Sequence, residues 1–568
     1  HDGSARTRQL ARWGPLLVLL VMAGLVAALI LTTDPPTDVA AGASDTTGSV
    51  VPDEMQLAAD VLPFSVAEAR GEVDDIDWGA RCDADAGVLA MPISPPPECF
   101  APYDGPGGGA TATGVTNDAI KVVVYVSQEN DPILSFIYSQ IGNTDTPTQT
   151  FETYEGYNEL LATYFETYGR QVELVRYDAT GPISDAVAAT TDAETIARDI
   201  QPFAVIGGPL LTEAFAETLA ANKVMCISCT PGQTIDWYEQ QAPYVWDVQK
   251  NSNQSQIMVA EYVGKRLAGG KAEFGGDDVK DKPRKFGLIY LSSTPLHEEM
   301  RKEFETTLEE DYGVTMADVA SFADPISLAG QAREILARMK SKGVTSILYT
   351  GDPLAPQTLT ENATAQDYFP EWVITGSSLV DTSIFGRTYD QEQWSHAFGP
   401  SNLFARVSPE VAGSVYLYRW FYGEPPPARP SATLLIPNLP SLYSVLQGTG
   451  TDLTHEMFQR VIFGADIVKG TVIAPQISWG ERGIWPGVDY GGVDDQTEVW
   501  WDADAEGVDE TGKDAKGLWA YVDGGRRYLP GEWPTDPPDV FDPEGAVTVY
   551  TDLPAGITLP DYEPLPPA

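Results

Sequence analysis

Basic side chains are scarce in this sequence: 35 Lys and Arg stand against 82 Asp and Glu, a formal net charge of −47. A polyanionic partner needs Lys and Arg to replace its counterions, so the balance excludes nucleic acid as a partner. It equally disfavours a folded domain lying flat on an anionic bilayer. Histidine is nearly absent, four in 568 residues, one of them His1. His297-Glu298-Glu299-Met300-Arg301 begins like the zinc helix H-E-x-x-H. Arg301 stands where the second imidazole must be, and without two imidazoles one helical turn apart the zinc reading falls. His396 and His455 have no partner that the sequence nominates. No G-x-S-x-G elbow, Walker loop or strand-linked G-x-G-x-x-G occurs. These absences point away from an enzyme and away from a bound cofactor. Cysteine is limited to four residues, and none lies near the N-terminal apolar run, which argues against a lipid-modified N-terminus.

That run is the clearest positive feature. Trp13 to Leu31 is free of charge, and 19 residues of helix span about 28 Å, close to one bilayer core. Arg6, Arg8 and Arg12 precede it and Asp34 follows, so the positive-inside rule places residues 1–12 in the cytoplasm and the bulk outside. The reading is a transmembrane anchor over residues 13–32. A cleavable signal is the alternative, with Ala41-Gly42-Ala43 as its processing site. Either way the chain is exported, as a single-pass membrane protein or a secreted one. The cysteines agree with an oxidising compartment. Cys82 and Cys99 bracket the Pro-rich Ile93-Ser94-Pro95-Pro96-Pro97 and are expected to bond locally. Cys226 and Cys229 are three apart on an expected strand, too far to bond unless the chain bends at Ser228. A structural bridge, two buried thiols, and redox or metal chemistry all remain open for that pair.

Residues 33–115 are rich in Asp, Ala, Pro and Gly and read as an extracellular linker. Order is expected from Ile120–Val126, a β-branched run typical of a buried strand. Thereafter helices and strands alternate. The strands are 172–177, 203–206, 224–228, 285–291, 315–321, 346–350 and 372–375, and helices of 10–15 residues separate most of them. Such spacing means right-handed βαβ units and parallel sheets covered on both faces. Two runs of about 130 residues predict two similar α/β lobes. The first takes about 116–247 and 398–475, helices near 416–422, 442–446 and 457–463 returning the chain to it, and the second takes about 248–397. Residues 476–534 form an acidic, Trp-rich extension without helical period, expected to be irregular, and 535–568 a Pro-rich, poorly ordered tail.

In open α/β sheets ligands sit beyond the carboxyl ends of the strands. The loops at those ends are Ser127–Asp131, Gly207–Thr212, Ser228–Gly232, Ser292–Thr294, Tyr349–Asp352 and Gly376–Ser378. They carry hydroxyls, amides and glycines, which can close on a small polar solute without doing chemistry on it. The same residue types are also what turns use; the six loops together favour binding. The ligand-binding residues expected are Gln128, Gly208, Thr212, Ser228, Thr230, Thr294, Tyr349, Asp352, Ser377 and Ser378.

Gly114-Val115-Thr116-Asn117-Asp118-Ala119-Ile120-Lys121-Val122 resembles the opening of mature branched-chain amino-acid-type ABC transporter binding proteins. Ala204–Gly208 and Val224–Ser228 resemble that family's Gly-rich third strand end and I-S-P-type fourth strand end. The likeness covers about 114–463. It implies the type I periplasmic-binding fold: two Rossmann-like lobes joined by hinge strands, with the ligand between them and an ABC permease as partner. It further implies that the loops at Gly208 and at Ser228–Thr230 would hold a ligand carboxylate, with Thr212 and Thr230 supplying hydroxyls. Two departures stand out. Pro209-Leu210-Leu211 replaces the family's Ser/Thr cluster, and Gly376-Ser377-Ser378 replaces the acidic group offered to an ammonium, for which Asp352 is the candidate substitute. The solute could thus be an amino acid, an amide, an organic acid or something more apolar. The rival reading is a ligand-sensing or adhesion ectodomain of the same fold, acting through a partner protein because a dozen cytoplasmic residues cannot hold a kinase or cyclase. Finally, Asp502, Asp504, Glu506 and Asp509 mimic the first half of a calcium loop, although Lys513 stands where a bidentate Glu belongs. They are the candidate ligands of a bound cation.

Overall fold

The computed structural model describes residues 57–230, 232–435 and 438–567. The expected anchor at 13–32 lies outside them, as does the processing site at Ala41–Ala43. Among the described residues no helix is long and apolar enough to cross a membrane.

A short N-terminal module comes first. The helix Phe64–Arg70 packs beside a two-residue hairpin, β1 (Cys82–Asp83) with β2 (Val88–Leu89). Cys82 is bonded to Cys99, with Cα atoms 5.8 Å apart. This stretch is no loose linker: Phe64, Ala67, Trp78, Leu89, Met91 and Cys99 are buried in the same apolar core as the first lobe. A few large side chains carry the packing without any periodic element, so composition alone misreads it.

The first lobe is a five-stranded, wholly parallel sheet. Its strands are β3 (Ala119–Val126), β4 (Gln171–Asp178), β5 (Ala204–Ile206), β6 (Met225–Ile227) and β7 (Val245–Trp246). Their order across the sheet is β4-β3-β5-β6-β7. The consecutive β-branched residues Val122, Val123 and Val124 are all buried, as a central strand with helices on both faces requires. Helices 414–422, 438–449 and 455–464 return from late in the chain to this core, contributing Leu417, Leu442, Phe458 and Ile462.

The second lobe repeats the plan. β8 (Phe286–Leu291), β9 (Asp318–Phe322), β10 (Ser346–Thr350), β11 (Glu371–Ile374) and β12 (Ala397–Ser401) are parallel and ordered β9-β8-β10-β11-β12. Numbered within each lobe, both sheets therefore have the doubly wound order 2-1-3-4-5. Neighbouring residues of the same strand point to opposite faces. Ile289, Ile347 and Trp372 enter one apolar cluster while Leu288, Leu348 and Val373 enter the other.

The C-terminal extension is not irregular. β13 (Gln496–Val508) pairs antiparallel with β12, β14 (Asp514–Tyr521) with β13, and β15 (Arg527–Tyr528) with the start of β13. It thus widens the sheet of the second lobe, to which β12 also belongs although the sequence placed residues from 398 in the first. Trp501 and Trp519 fill one face of this addition and Trp500 and Trp533 the other. Nor is the tail loose. Phe541 packs on Phe274, Phe398 and Trp500, Tyr550 bridges to Val407, and further on Tyr562 and Leu565 bond to the first lobe. Proline prevents helices and ladders but not an extended chain that docks by its aromatic side chains.

The chain crosses between lobes near 247–251 and 402–413, and a third time over 466–495, a stretch that touches both: Ile473 and Trp485 pack on the second lobe's clusters, Trp479 and Tyr490 on the first lobe's.

Candidate functional site

A doubly wound sheet of order 2-1-3-4-5 leaves a crevice at its switch point, where the chain first turns to the other side of strand 1. In the first lobe that point lies between the carboxyl ends of β3 and β5, in the second between those of β8 and β10. Helices start there. Asp131 caps the helix Pro132–Ile141 through Oδ1, which accepts from the amides of Ile133 and Leu134, while its Oδ2 accepts from Ile183 N at 2.7 Å. Thr294 and His297 cap the helix Pro295–Tyr312. The amides of Ser293 and Thr294 donate to His297 Nδ1 at 3.2 and 3.3 Å, which makes Nδ1 the acceptor and leaves Nε2 to carry the proton. Burial lowers the His297 pKa, and Glu213, at the start of the helix that follows β5 in the opposite lobe, raises it in part. The two switch points therefore face each other. The helix Pro132–Ile141 lies between them, with Ile137 and Ile141 of the first lobe packed against the core of the second.

Most of the expected ligand hydroxyls bond within their own loops. Thr212 Oγ1 accepts from Ala214 N at 3.3 Å. Ser228 Oγ donates to Asn438 Oδ1 at 2.9 Å and stands 3.5 Å from Asp247 Oδ1, towards the crossover rather than the cleft. Thr230 is buried, with Gln233 Nε2 at 3.4 Å. Tyr349 is buried against Phe322 and donates to the Asp352 carbonyl at 2.6 Å. Ser377 Oγ accepts from Gly351 N at 3.1 Å and so ties the β10 loop to the β11 loop. Gly208 is present because a Cβ there would stand 2.8 Å from the Cys229 carbonyl oxygen. Ser378 and Leu379 have φ of 41° and 64°, two successive left-handed residues without glycine, each costing about 1–3 kcal/mol and held by the surrounding loop.

Two expected residues keep free polar atoms. Asp352 Oδ1 accepts from Leu354 N and Ala355 N at 2.8 and 3.0 Å, but its Oδ2 is buried without a partner, and burial raises the carboxyl pKa. Gln128 lines a pocket of about 560 Å³ with Ser127, Asn130, Thr146, Thr148 and Arg176. Arg176 is held there by Asp178, with Nη2 2.6 Å from Oδ1. A second hollow, of about 600 Å³, lies on the N-terminal module rather than at a strand end and is lined by Phe64, Glu68, Asp74, Asp85 and Glu98.

The Cys226–Cys229 pair is bonded, with Cα atoms 5.9 Å apart, and the chain makes the necessary bend at Ser228, whose φ is 54°. The calcium-loop residues do not converge. Asp502 Oδ1 accepts from Asp504 N and Ala505 N, and Asp504 and Glu506 are exposed near Lys516. Asp509 is buried on Arg387 at 2.7 Å, and its Oδ1 accepts from Thr511 N and Lys513 N. Among the described residues no group of three or more His, Cys, Asp or Glu could hold a metal ion. The sequence reading missed Glu213 and His297 as facing groups. Their signal was available in the helix starts, Thr212-Glu213-Ala214 and Thr294-Pro295-Leu296-His297.

No family model matches the chain, and no curated protein matches it. Solved structures similar to it include three substrate-binding proteins of ABC transporters. One, from Streptococcus pneumoniae, is a branched-chain amino acid transporter protein in complex with isoleucine. It is 14% identical, covers 71% of this chain and 100% of its own, and has a TM-score of 0.47. Another, from R. palustris, is in complex with 4-hydroxybenzoate: 13% identity, 73% of this chain, 99% of that one, TM-score 0.47. The third is a fatty acid transporter protein from Thermomonospora curvata: 14% identity, 73% and 94% covered, TM-score 0.48. Of the three, the first alone is named as a branched-chain amino acid transporter protein.

Proposed function

We propose that this protein is the solute-binding component of an ABC-type importer, exported and tethered to the membrane by Trp13–Leu31, and that its solute binds between the two lobes. The reading is carried by the paired switch points: two sheets of identical order, their strand ends turned towards each other across Glu213 and His297. Helix starts, backbone amides and capping side chains at such ends can enclose a molecule and bind it without changing it. The solute would stabilise the lobe-closed form by mass action, which is also what a permease would recognise.

Thermal unfolding of the full chain against a panel of amino acids, amides, amines, sugars and organic acids tests this. A ligand present at 100 times its Kd raises stability by about 2.7 kcal/mol, enough for a shift of several degrees. Saturable shifts with the ligand recovered intact are expected. Chemical turnover of the ligand, or a panel with no saturable shift, defeats the reading.

A further inference from the structure

We propose, resting on the reading that the inter-lobe cleft binds a solute, that this solute is a hydrophobic amine: an apolar body lying on Phe136, Leu210, Leu211 and Ile326, with an amine or ammonium head at Asp352 and no carboxylate.

Three independent observations converge on it. The first is where apolar surface is left in water. Among the described residues the exposed large apolar side chains are Phe136, Val187, Leu210, Leu211 and Ile326, and beyond these Phe404, Ile467 and Val468. The first five all follow carboxyl ends of parallel strands: β3, β4, β5 twice, and β9. Leu210 and Leu211 are each 48% exposed and Ile326 is 87% exposed. The helix Pro132–Ile141 carries Ile133, Leu134, Phe136, Ile137 and Ile141 and yet buries none of them fully. Apolar surface concentrated at one edge of both sheets marks a binding surface rather than a packing remainder.

The second is charge. The loops 127–131, 179–185, 207–213, 228–234, 292–297, 323–331, 351–354 and 375–382 contain no Lys or Arg, whereas they carry carboxylates at Glu129, Asp131, Asp185, Glu213, Asp324, Asp352 and Asp381. The nearby Arg176 is already on Asp178, while His297 Nδ1 accepts from two backbone amides and burial lowers its pKa. A solute carboxylate entering here would meet carboxylates and no fixed cation, on a chain whose net charge is −47. A cation meets the opposite.

The third is a free acceptor. Asp352 stands at the switch point of the second lobe, its Oδ1 committed to the amides of Leu354 and Ala355 and its Oδ2 buried without a partner. A buried carboxylate oxygen without a donor is unfavourable, and an incoming N–H group relieves it. Asp324 is close enough to Asp352 to act on it electrostatically, which adds negative potential at the same place.

The test is calorimetric titration of the full chain with matched pairs: hexylamine against hexanoate, phenethylamine against phenylacetate, tryptamine against indole-3-acetate, with leucine as the zwitterion. Each amine is expected to bind at least tenfold tighter than its acid. Asp352→Asn keeps the Oδ1 acceptor that caps the following helix and is expected to abolish that preference, while the double variant Leu210→Ser, Leu211→Ser weakens amine binding about tenfold, as loss of two half-buried leucines does. Preference for the acids or for leucine overturns the amine assignment and leaves the solute-binding reading standing. No binding by any of these probes also overturns it, and the broader thermal panel then decides whether the cleft takes a solute at all.

Discussion

Arg527 Nε donates to Asp495 Oδ1 at 2.7 Å, and each side chain is 4% exposed. The same guanidinium reaches the carbonyls of Leu403 and Asn402 at 2.9 and 3.3 Å. Lys250 Nζ donates to the Asp495 carbonyl. Residue 495 thus ties together all three crossovers between the lobes: Lys250 belongs to the first, Asn402 and Leu403 to the second, and Asp495 itself to the third. Arg527 comes from β15, so the C-terminal extension completes the hinge as well as widening the sheet.

Removing one partner of such a pair leaves the other charge buried and uncompensated, at a cost of about 3–5 kcal/mol. Arg527→Ala is expected to lose stability on that scale in urea unfolding. Hydrogen exchange should accelerate first at the amides of 247–251 and 402–413, before the strands of either sheet. Unchanged exchange at the crossovers would show that residue 527 does not hold them.

The hinge also predicts a pH dependence. Burial pushes the Asp489 carboxyl up to about 8 and lowers Lys250 to about 7. Asp489 Oδ1 accepts from Gln254 Nε2 and Gly491 N, so the carboxyl is held by neutral donors. Between its unfolded value near 4 and about 8 the folded chain keeps a proton that the unfolded chain has lost. Stability therefore falls as pH rises through that window, by at most about 1.4 kcal/mol per pH unit for one group. Lys250 has the opposite sign: from about 7 up to its unfolded value near 10.4, the folded chain has already lost the proton and stability rises. The two slopes offset each other between about 7 and about 8, so melting of the wild type followed from pH 5 to 10 should pass through a minimum in that interval. Asp489→Asn preserves both hydrogen bonds and removes the ionisation, so its decline between pH 5 and 8 should be shallower.

Several elements are legible in the sequence. The strand Ser346–Thr350 is bounded as read, and the alternation of helices and strands yields both parallel sheets. A bridge between Cys226 and Cys229 is one of three readings that the sequence leaves open, and it requires the bend that the chain makes at Ser228. Other features were hidden for physical reasons. β13 opens with Gln496–Trp501 buried on both faces, and its second half alternates exposed acidic residues with Ala and Gly, so neither half carries the large apolar residues at every second position that mark a half-buried strand. The helix Pro132–Ile141 was missed although Asp131-Pro132 is a helix start signal. The candidate site is the least legible part, because a hydroxyl that caps a helix and one that holds a ligand look identical in sequence. Thr212, Thr294 and Ser377 turned out to brace their loops, whereas the exposure of Leu210 and Leu211 carries the information that their position alone did not.

A fully buried ion pair sits at the base of the second lobe. Arg284 Nε and Nη2 donate to the two oxygens of Glu371 at 2.9 and 3.0 Å, and the side chains are 3% and 0% exposed. Glu371 also accepts from Phe274 N and Ser346 Oγ, so one carboxylate joins β10, β11 and the loop before β8. Arg284→Met is expected to cost about 3–5 kcal/mol, since a bidentate, fully desolvated pair is broken. The double variant Arg284→Met, Glu371→Gln should recover part of it. A double-mutant cycle in urea measures the coupling, and a coupling below about 0.5 kcal/mol would mean the pair is not what anchors this edge.

The tail makes a fourth connection between the lobes, one that does not pass through the hinge. Val547 pairs with Tyr521 in the second lobe, and Tyr550 N donates to the Arg406 carbonyl at 2.9 Å beside the second crossover. Farther along, Trp420 Nε1 donates to the Tyr562 carbonyl at 2.7 Å, Tyr562 OH to Asp83 Oδ2 at 2.7 Å, and Leu565 N to Tyr164 OH at 2.9 Å. Trp420 and Tyr164 lie on the first lobe, Asp83 on the N-terminal module that shares its core, and Leu565 packs on that core. A segment fixed at both ends in this way limits how far the lobes can separate, whatever the crossovers allow. Deleting residues 552–568 is expected to leave both sheets folded, because the segment contributes no strand to either. The deletion should increase the radius of gyration in small-angle scattering, through a wider distribution of lobe separations. Tyr562→Phe removes one hydrogen bond, worth about 0.5–1.5 kcal/mol, and should move the scattering curve in the same direction by less. A truncated chain with the scattering profile of the full one would show that the crossovers alone set the separation.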